Sequence, residues 1–220
     1  MSRESRPPRL VLTPRAWLKW QFLCHTGPTE IGAFGLSDEF SPLVVEDLLV
    51  VKQVTTAVSV AFDDVAVADL FDAMADRGIP PRCFARIWLH THPGASVTPS
   101  GVDEATFRRV FGGCDWAVMG ILGRTGRTEV RLRFNAGPGG DMSIPTAVDW
   151  SLWPEYALSS QLMDDLVQWQ TEFDTCVKPV PFQTRSDPKA QTRKPCAGGL
   201  GSGLMDPDNR FHTRDPHDFN

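Results

Sequence analysis

Apolar residues recur at helical spacing, three or four positions apart, in four stretches of the chain. The first stretch begins at Thr13-Pro14, where threonine suits an N-cap and proline suits the first turn. One side of it carries the apolar stripe of a helix laid on a sheet, formed by Ala16, Trp17, Trp20, Leu23 and Cys24. The pattern predicts helices over about 13–25, 64–77, 100–111 and 158–173. The last helix is expected to bury a stripe made of Leu162, Met163, Leu166, Val167 and Phe173.

Shorter runs of apolar and β-branched residues predict the strands. One strand opens at Glu30, and residues 48–62 should supply one long strand or two shorter ones. The run 87–89 is short and lies between prolines, which is typical of a buried strand. Residues 116–122 and 129–134 predict a hairpin, and the glycine-rich segment 135–141 is interpreted as a connection.

The two ends of the chain differ in composition from its middle. Residues 1–9 are rich in arginine and proline and predict a flexible arm. Residues 183–220 combine proline, glycine and mixed charge with few large apolar residues, which predicts a tail that buries little surface. The middle, residues 10–182, is therefore expected to form one domain, and a chain of 220 residues that is 41% hydrophobic can bury a substantial core.

Charge and cysteine content narrow the class of protein. The net charge of -5 argues against a protein that coats nucleic acid or anionic membranes. No apolar run approaches the roughly 18 residues of a membrane span, and no signal peptide is evident. The five cysteines include no Cys-x-x-Cys pair, so we expect free thiols in a reducing, cytoplasmic compartment.

Candidate chemistry is concentrated in residues 90–103. His90 and His92 are two positions apart, so on a strand they point to the same side, where one metal ion can contact both. Asp103 lies in the predicted helix opened by Ser100, and the loop between should fold its carboxylate towards the histidines. Two imidazoles and one carboxylate make three protein ligands, the number that a catalytic zinc site uses when it keeps its fourth position for water.

Each of these residues also has an ordinary structural interpretation. Ser100 and Asp103 fit a capping box at the start of a helix. A histidine at a strand end is often only a polar residue, and Glu30 fits an exposed carboxylate at a sheet edge. The conjunction of the His90-x-His92 pair with Ser100 and Asp103 at one strand-to-helix junction favours the metal site.

Together these residues resemble the signature of the JAMM (MPN-plus) family of zinc metalloproteases, His-x-His-x7-Ser-x2-Asp. The family also requires a glutamate on an earlier strand within small and apolar residues, and Glu30 in segment 29–36 matches it. Glu39 and Glu46 are rival candidates, but Glu39 lies in a polar turn and Glu46 begins a strand of exposed alternation. The similar order of elements extends from about residue 10 to residue 132, more than half of the chain.

The resemblance implies an α/β (α+β) domain of the JAMM/MPN, cytidine deaminase-like fold, with a curved mixed β-sheet flanked by helices. It implies one Zn²⁺ held by His90, His92 and Asp103, with Glu30 as the catalytic base and Ser100 as a donor to the oxyanion. Relatives with this motif hydrolyse the peptide or isopeptide bond after the C-terminal glycine of ubiquitin or a ubiquitin-like protein. The expected partners are a ubiquitin-like protein and its conjugates, with its activating and conjugating enzymes as associates, and neither nucleic acid nor membrane.

Only twelve residues separate Asp103 from Trp116, which leaves little room for the long insertion of eukaryotic chain-specific members. We therefore expect a bacterial conjugation pathway.

Three other interpretations stay open: a hydrolase of small peptides or sulfur-carrier adducts, a binding scaffold without metal, and a nuclease-associated protein like the RadC relatives. The last usually carries a helical DNA-binding segment in front, and none fits before Thr13.

Overall fold

The computed structural model describes residues 7–158 and 160–180. The predicted tail and residues 1–6 of the predicted arm lie outside the described residues, and residues 7–9 have no regular structure. The helices are α1 (Pro14–Thr26), α2 (Asp64–Asp76), α3 (Gly101–Phe111), α4 (Trp153–Leu158) and α5 (Gln161–Cys176). The strands are β1 (Leu10–Leu12), β2 (Gly32–Asp38), β3 (Ser41–Leu49), β4 (Gln53–Thr56), β5 (Ser59–Phe62), β6 (Ile87–His92), β7 (Trp116–Gly123), β8 (Thr128–Phe134), β9 (Gly140–Ser143), β10 (Thr146–Val148) and β11 (Val177–Pro179).

Eight of these strands form one mixed β-sheet in the order β10-β1-β3-β2-β6-β7-β8-β9. β6 is central: it pairs with β2 in the antiparallel sense and with β7 in the parallel sense. A smaller sheet has the order β11-β4-β5. The chain thus forms a mixed α/β domain with helices packed on a mixed sheet, as the sequence predicted at this level.

The two faces of the large sheet bury separate apolar clusters. On one face, Trp20 and Leu23 of α1 pack with Val118 and Leu122 of β7. On the other face, α3 contributes Phe107 and Phe111 to a cluster with Phe34, Trp88, Ala117 and Met119. Because side chains alternate along a strand, β7 supplies both clusters from successive residues. None of the helices in the described part of the chain is both long and apolar enough to cross a membrane.

Local signals placed the starts of α1, α2 and α3 correctly, whereas the last predicted helix begins at Gln161 instead of residue 158, and the short helix α4 before it was not predicted. The Thr13 hydroxyl accepts a hydrogen bond from the Ala16 N–H at the start of α1, and the Asp63 carboxylate accepts one from Ala66 at the start of α2. These contacts satisfy backbone donors that have no partner inside a helix. The predicted hairpin is also present, since β7 and β8 pair in the antiparallel sense.

Of the two alternatives predicted for residues 48–62, the structure has the two shorter strands and not the long one. Strand β3 begins already at Ser41, and the segment contains the end of β3 followed by the separate strands β4 and β5. β4 and β5 leave the large sheet and pair with each other in the smaller one. β-branched composition indicates strand but does not show which sheet a strand joins.

The predicted buried stripe of the last helix was wrong for most of its residues, although Phe173 is partly buried and packs against the core. Helix α5 exposes 67% of Met163 and 69% of Val167, and its fully buried residues are Asp165 and Trp169. The Asp165 carboxylate accepts two hydrogen bonds from Arg15, at 2.8 and 2.9 Å, and one from Tyr156 at 2.8 Å. These polar contacts turn the helix so that an acidic position faces inwards.

The cysteines of the described residues are free thiols, as expected: Cys24, Cys83, Cys114 and Cys176. Cys24 and Cys83 are buried, and burial raises the pKa of both thiols. The fifth cysteine, Cys196, lies outside the described residues.

Candidate metal centre

Strand β6 brings the two histidines to one face of the sheet. All six of its residues are buried, and the strand continues through His92 rather than ending where the histidines begin. His90 is fully buried and His92 is 8% exposed. Trp88, two positions before His90, lies on the same face, and its ring stacks on the His90 ring with 4.3 Å between centroids.

Helix α3 delivers the third group. Asp103, 2% exposed, places Oδ1 at 3.4 Å from His90 Nε2 and Oδ2 at 3.6 Å from His92 Nε2. One ligand atom from each of the three residues lies within 4.8 Å of the others. The predicted ligand set His90, His92 and Asp103 is therefore brought together in one buried cluster.

The cluster fits a metal ion in its donor set and in its hydrogen bonding. Among the described residues, His90 Nε2 and His92 Nε2 are buried and have no hydrogen-bond partner. Burying such groups without a partner is costly, and metal coordination is one way to compensate for it. His92 Nδ1 lies 3.0 Å from the Ser96 carbonyl oxygen, and donation there leaves the lone pair of Nε2 directed at the cluster. The cluster could thus hold a metal ion.

Glu30 lies beside this cluster. Its carboxylate is 3% exposed, Oε1 is 3.5 Å from His92 Nε2, and Oε2 has no hydrogen-bond partner in the described part of the chain. The rival glutamates lie elsewhere: Glu39 pairs with Arg82, and Glu46 is exposed near the start of α1. Of the three candidates weighed from the sequence, Glu30 alone lies against the histidines.

Burial and neighbouring charge shift the protonation of all four groups. Burial raises the pKa of Glu30 to about 7, with His92 opposing this change and Asp103 adding to it. Burial also lowers the pKa of His90. Burial alone would lower the pKa of His92 and raise that of Asp103, but the attraction between imidazole and carboxylate outweighs it, so the pKa of His92 is raised and that of Asp103 is strongly lowered. A neutral imidazole at His90 and an ionised Asp103 are the forms that bind a metal.

Ser100 has the place that the sequence predicted. It is half-buried at the N-cap of α3, and its Oγ accepts a hydrogen bond from the Asp103 N–H at 3.2 Å. A hydroxyl that accepts in this way keeps its own hydrogen for donation to another group. Ser100 therefore lies next to the cluster as a possible donor.

Sequence reasoning missed the residues that support the cluster. Trp20 Nε1 donates to the His90 carbonyl oxygen at 3.3 Å, and Thr91, between the histidines, exchanges two hydrogen bonds with Ile31. The only advance signal was the strand alternation that places Trp88 on the face of His90. The other contacts join residues about sixty or more positions apart and leave no local pattern.

A scan against models of protein families gave no match, and a search among curated proteins found no similar sequence. The resemblance to the JAMM family therefore rests on the motif residues themselves. What the site does has to be argued from its own geometry.

Proposed function

We propose that the chain is a zinc-dependent peptidase of the JAMM type, which hydrolyses the bond after the C-terminal glycine of a ubiquitin-like protein. The observation that carries the proposal is the convergence of His90, His92 and Asp103 with a protonatable Glu30 beside them. Supporting features are the mixed sheet and the central position of β6, which agree with a JAMM/MPN, cytidine deaminase-like fold.

The proposed roles follow from the chemistry of the side chains. His90, His92 and Asp103 would hold the zinc ion, which when bound would supply a Lewis acid and lower the pKa of a water molecule to near 7. The Glu30 carboxylate, whose Oε1 lies 3.5 Å from His92 Nε2, would take a proton from the attacking water and pass it to the leaving amine. Ser100 donates its hydroxyl hydrogen to the oxygen on which negative charge develops.

The substrate class is taken from the resemblance. A glycine-terminated tail can reach a buried site because it has no side chains to clash with the walls. The short connection from α3 to β7, residues 112–115, agrees with a member that lacks the long insertion used for ubiquitin-chain specificity. We therefore place the proposed substrate in a bacterial ubiquitin-like conjugation pathway, with deconjugation or precursor maturation as the reaction.

Metal content and cleavage test the proposal together. Zinc is measured by elemental analysis in wild type, His92→Ala and Glu30→Gln, with Glu39→Gln as a control for loss of a glutamate away from the cluster. We expect about one zinc in all except His92→Ala, because Glu30 lies beside the ligands and is not one of them. Cleavage of a ubiquitin-like protein fused through its terminal glycine to a reporter should be lost in His92→Ala and Glu30→Gln and kept in Glu39→Gln.

Two results would count against the proposal. Wild type without zinc after incubation with the metal would favour a binding scaffold. Equal cleavage of short unrelated peptides and of the fusion would favour a small-peptide hydrolase that uses the same residues.

A further inference from the structure

Glu30 lies on a short segment, residues 29–32, that is tied to β6 on one side. The Ile31 N–H donates to Thr91 Oγ1 at 3.0 Å, and the Thr91 N–H donates to the Ile31 carbonyl oxygen at 2.9 Å. Thr91 is the residue between the two histidines. The segment that carries Glu30 is thus attached directly to the strand that carries His90 and His92.

On its other side, Gly32 of this segment pairs with no strand in the described part of the chain. Strand β3 pairs with β2 only as far as Leu49 opposite Phe34. Gly32, two residues earlier, lies opposite His90 in the register with β6, and its own N–H and carbonyl bond to a side chain. Unpaired main-chain groups at this buried position would be costly.

The Gln53 side chain takes the place of the missing strand. Its Oε1 accepts from the Gly32 N–H at 2.9 Å, and its Nε2 donates to the carbonyl oxygens of Gly32 at 2.8 Å and Val51 at 3.0 Å. Gln53 is 2% exposed, so these bonds do not compete with solvent. A single carboxamide therefore satisfies both main-chain groups of Gly32, as a neighbouring strand would.

The geometry points to Gln53 as a positioning residue: we propose that its carboxamide fixes the main chain at Gly32 and thereby sets where the Glu30 carboxylate lies against His92. The catalytic meaning of this position rests on the function proposed above. None of the hydrogen bonds of the Gln53 side chain reaches a metal ligand or Glu30. Its effect on Glu30 therefore passes through the main chain of Gly32 and Ile31.

Other contacts should keep the segment folded when Gln53 is changed. The Glu30 N–H donates to the Thr56 carbonyl oxygen at 2.8 Å, and the hydroxyls of Thr29 and Thr55 are 2.8 Å apart. Loss of the Gln53 bonds should therefore loosen Gly32 and shift Glu30 without unfolding the domain.

The test compares Gln53→Met, which keeps the size but loses all three bonds, with Ser37→Ala. Ser37 lies at the other end of β2, is buried, and donates to the Cys83 carbonyl oxygen at 3.2 Å, so the control also loses a buried bond to the main chain. Should Gln53→Met fail to fold, Gln53→Glu retains an acceptor for the Gly32 N–H and loses the two donated bonds.

Two readouts do not depend on enzymatic activity. We expect amide hydrogen exchange at Gly32 to accelerate about tenfold in Gln53→Met and not in Ser37→Ala. Crystal structures should show the separation of Glu30 Oε1 and His92 Nε2 growing beyond its present 3.5 Å only in the Gln53 variant. Unchanged exchange and an unchanged separation would overturn the proposal.

Kinetics and metal content add the catalytic readout. In Gln53→Met the bound zinc should stay at the wild-type level while kcat falls roughly ten- to a hundredfold at constant KM, because a small misplacement of a catalytic group is costly. A rise in KM alone, with kcat unchanged, would contradict the positioning role. If wild type cleaves nothing, the proposed function fails, while exchange and the Glu30–His92 separation still decide the role of Gln53.

Discussion

Asp103 and Ser100 are joined by two reciprocal hydrogen bonds: Asp103 Oδ2 accepts from the Ser100 N–H at 2.7 Å, and Ser100 Oγ accepts from the Asp103 N–H at 3.2 Å. The same carboxylate places Oδ1 at 3.4 Å from His90 Nε2. The capping box is therefore present, and the same carboxylate belongs to the group of side chains that could hold a metal ion. The helix cap holds the carboxylate in the orientation that faces the imidazoles.

Replacing Ser100 by alanine should lower both the free energy of unfolding and kcat, and a matched control distinguishes the two effects. Loss of the N-cap acceptor should lower the free energy of unfolding by about 1 kcal/mol. Loss of the proposed oxyanion donor should lower kcat by about a hundred- to a thousandfold, while zinc stays bound because Asp103 keeps the bond from the Ser100 N–H. Asp63→Ala, which removes the N-cap of α2, is the matched control. It should show a similar loss of stability with unchanged kcat, and an equal loss of kcat in both variants would remove the proposed role of Ser100.

Metal binding should stabilise the fold, because the ligands join β6 to α3. At a free zinc concentration one hundred times the Kd, the gain is about 2.7 kcal/mol, or roughly 5 to 10 °C in Tm for a domain of this size. Calorimetry with and without a chelator measures it. His92→Ala should lose the gain and His25→Ala, an exposed histidine at the end of α1, should keep it. A gain of equal size in both variants would place the metal elsewhere.

Gly32 should not tolerate a side chain. A Cβ there would lie 2.7 Å from Phe62 Cζ, and the Phe62 ring cannot easily give way because it stacks on Phe34 at 5.1 Å. Gly32→Ala should therefore destabilise the fold by about 1 to 3 kcal/mol, measured by urea unfolding. Gly113→Ala is the control, since no described atom lies within 4 Å of its added Cβ, and it should change stability by less than about 1 kcal/mol.

The inward face of α5 can be tested by truncation. Trp169 is fully buried and packs on Phe22 at 5.9 Å between ring centroids, so Trp169→Ala should cost about 3 to 5 kcal/mol. Val167 is 69% exposed, and Val167→Ala should change stability by less than about 0.5 kcal/mol. If Val167→Ala lost more stability than Trp169→Ala in urea unfolding, the buried face of α5 would be the one predicted from the sequence.

Asp165 should make stability depend on acid pH. Burial alone would raise its pKa, but hydrogen bonds from Arg15 and Tyr156 outweigh burial and lower it. A folded pKa below the unfolded value of about 4 means that the stabilisation is complete above that pH and is lost as the pH falls through the folded pKa. Asp165→Asn should therefore cost about 1.5 to 3 kcal/mol at pH 7, and its difference from wild type should shrink below about pH 4. Urea unfolding at a series of pH values measures it, and a difference that stays constant down to pH 2 would contradict this account.

Much of the candidate site could be predicted because its signals are local. Strand alternation places His90 and His92 on one face, and the spacing of Ser100 and Asp103 opens a helix with a cap. Glu30 could be selected only through the family resemblance, because the family pattern asks for a glutamate among small and apolar residues, whereas Glu39 lies in a polar turn. Its place beside His92 depends on the pairing of β2 with β6.

The sequence by itself determined the periods, caps and turns, and with them the starts of α1, α2 and α3, the hairpin and the motif, because these depend on residues within a few positions of each other. Tertiary structure alone decided that β4 and β5 leave the large sheet, that Gln53 replaces a strand beside Gly32, and that α5 turns Asp165 inwards. Arg15 and Asp165 are 150 positions apart, and Gln53 and Gly32 are 21 apart. Such contacts form only when the whole sheet brings distant segments together, so no local pattern of hydrophobicity encodes them.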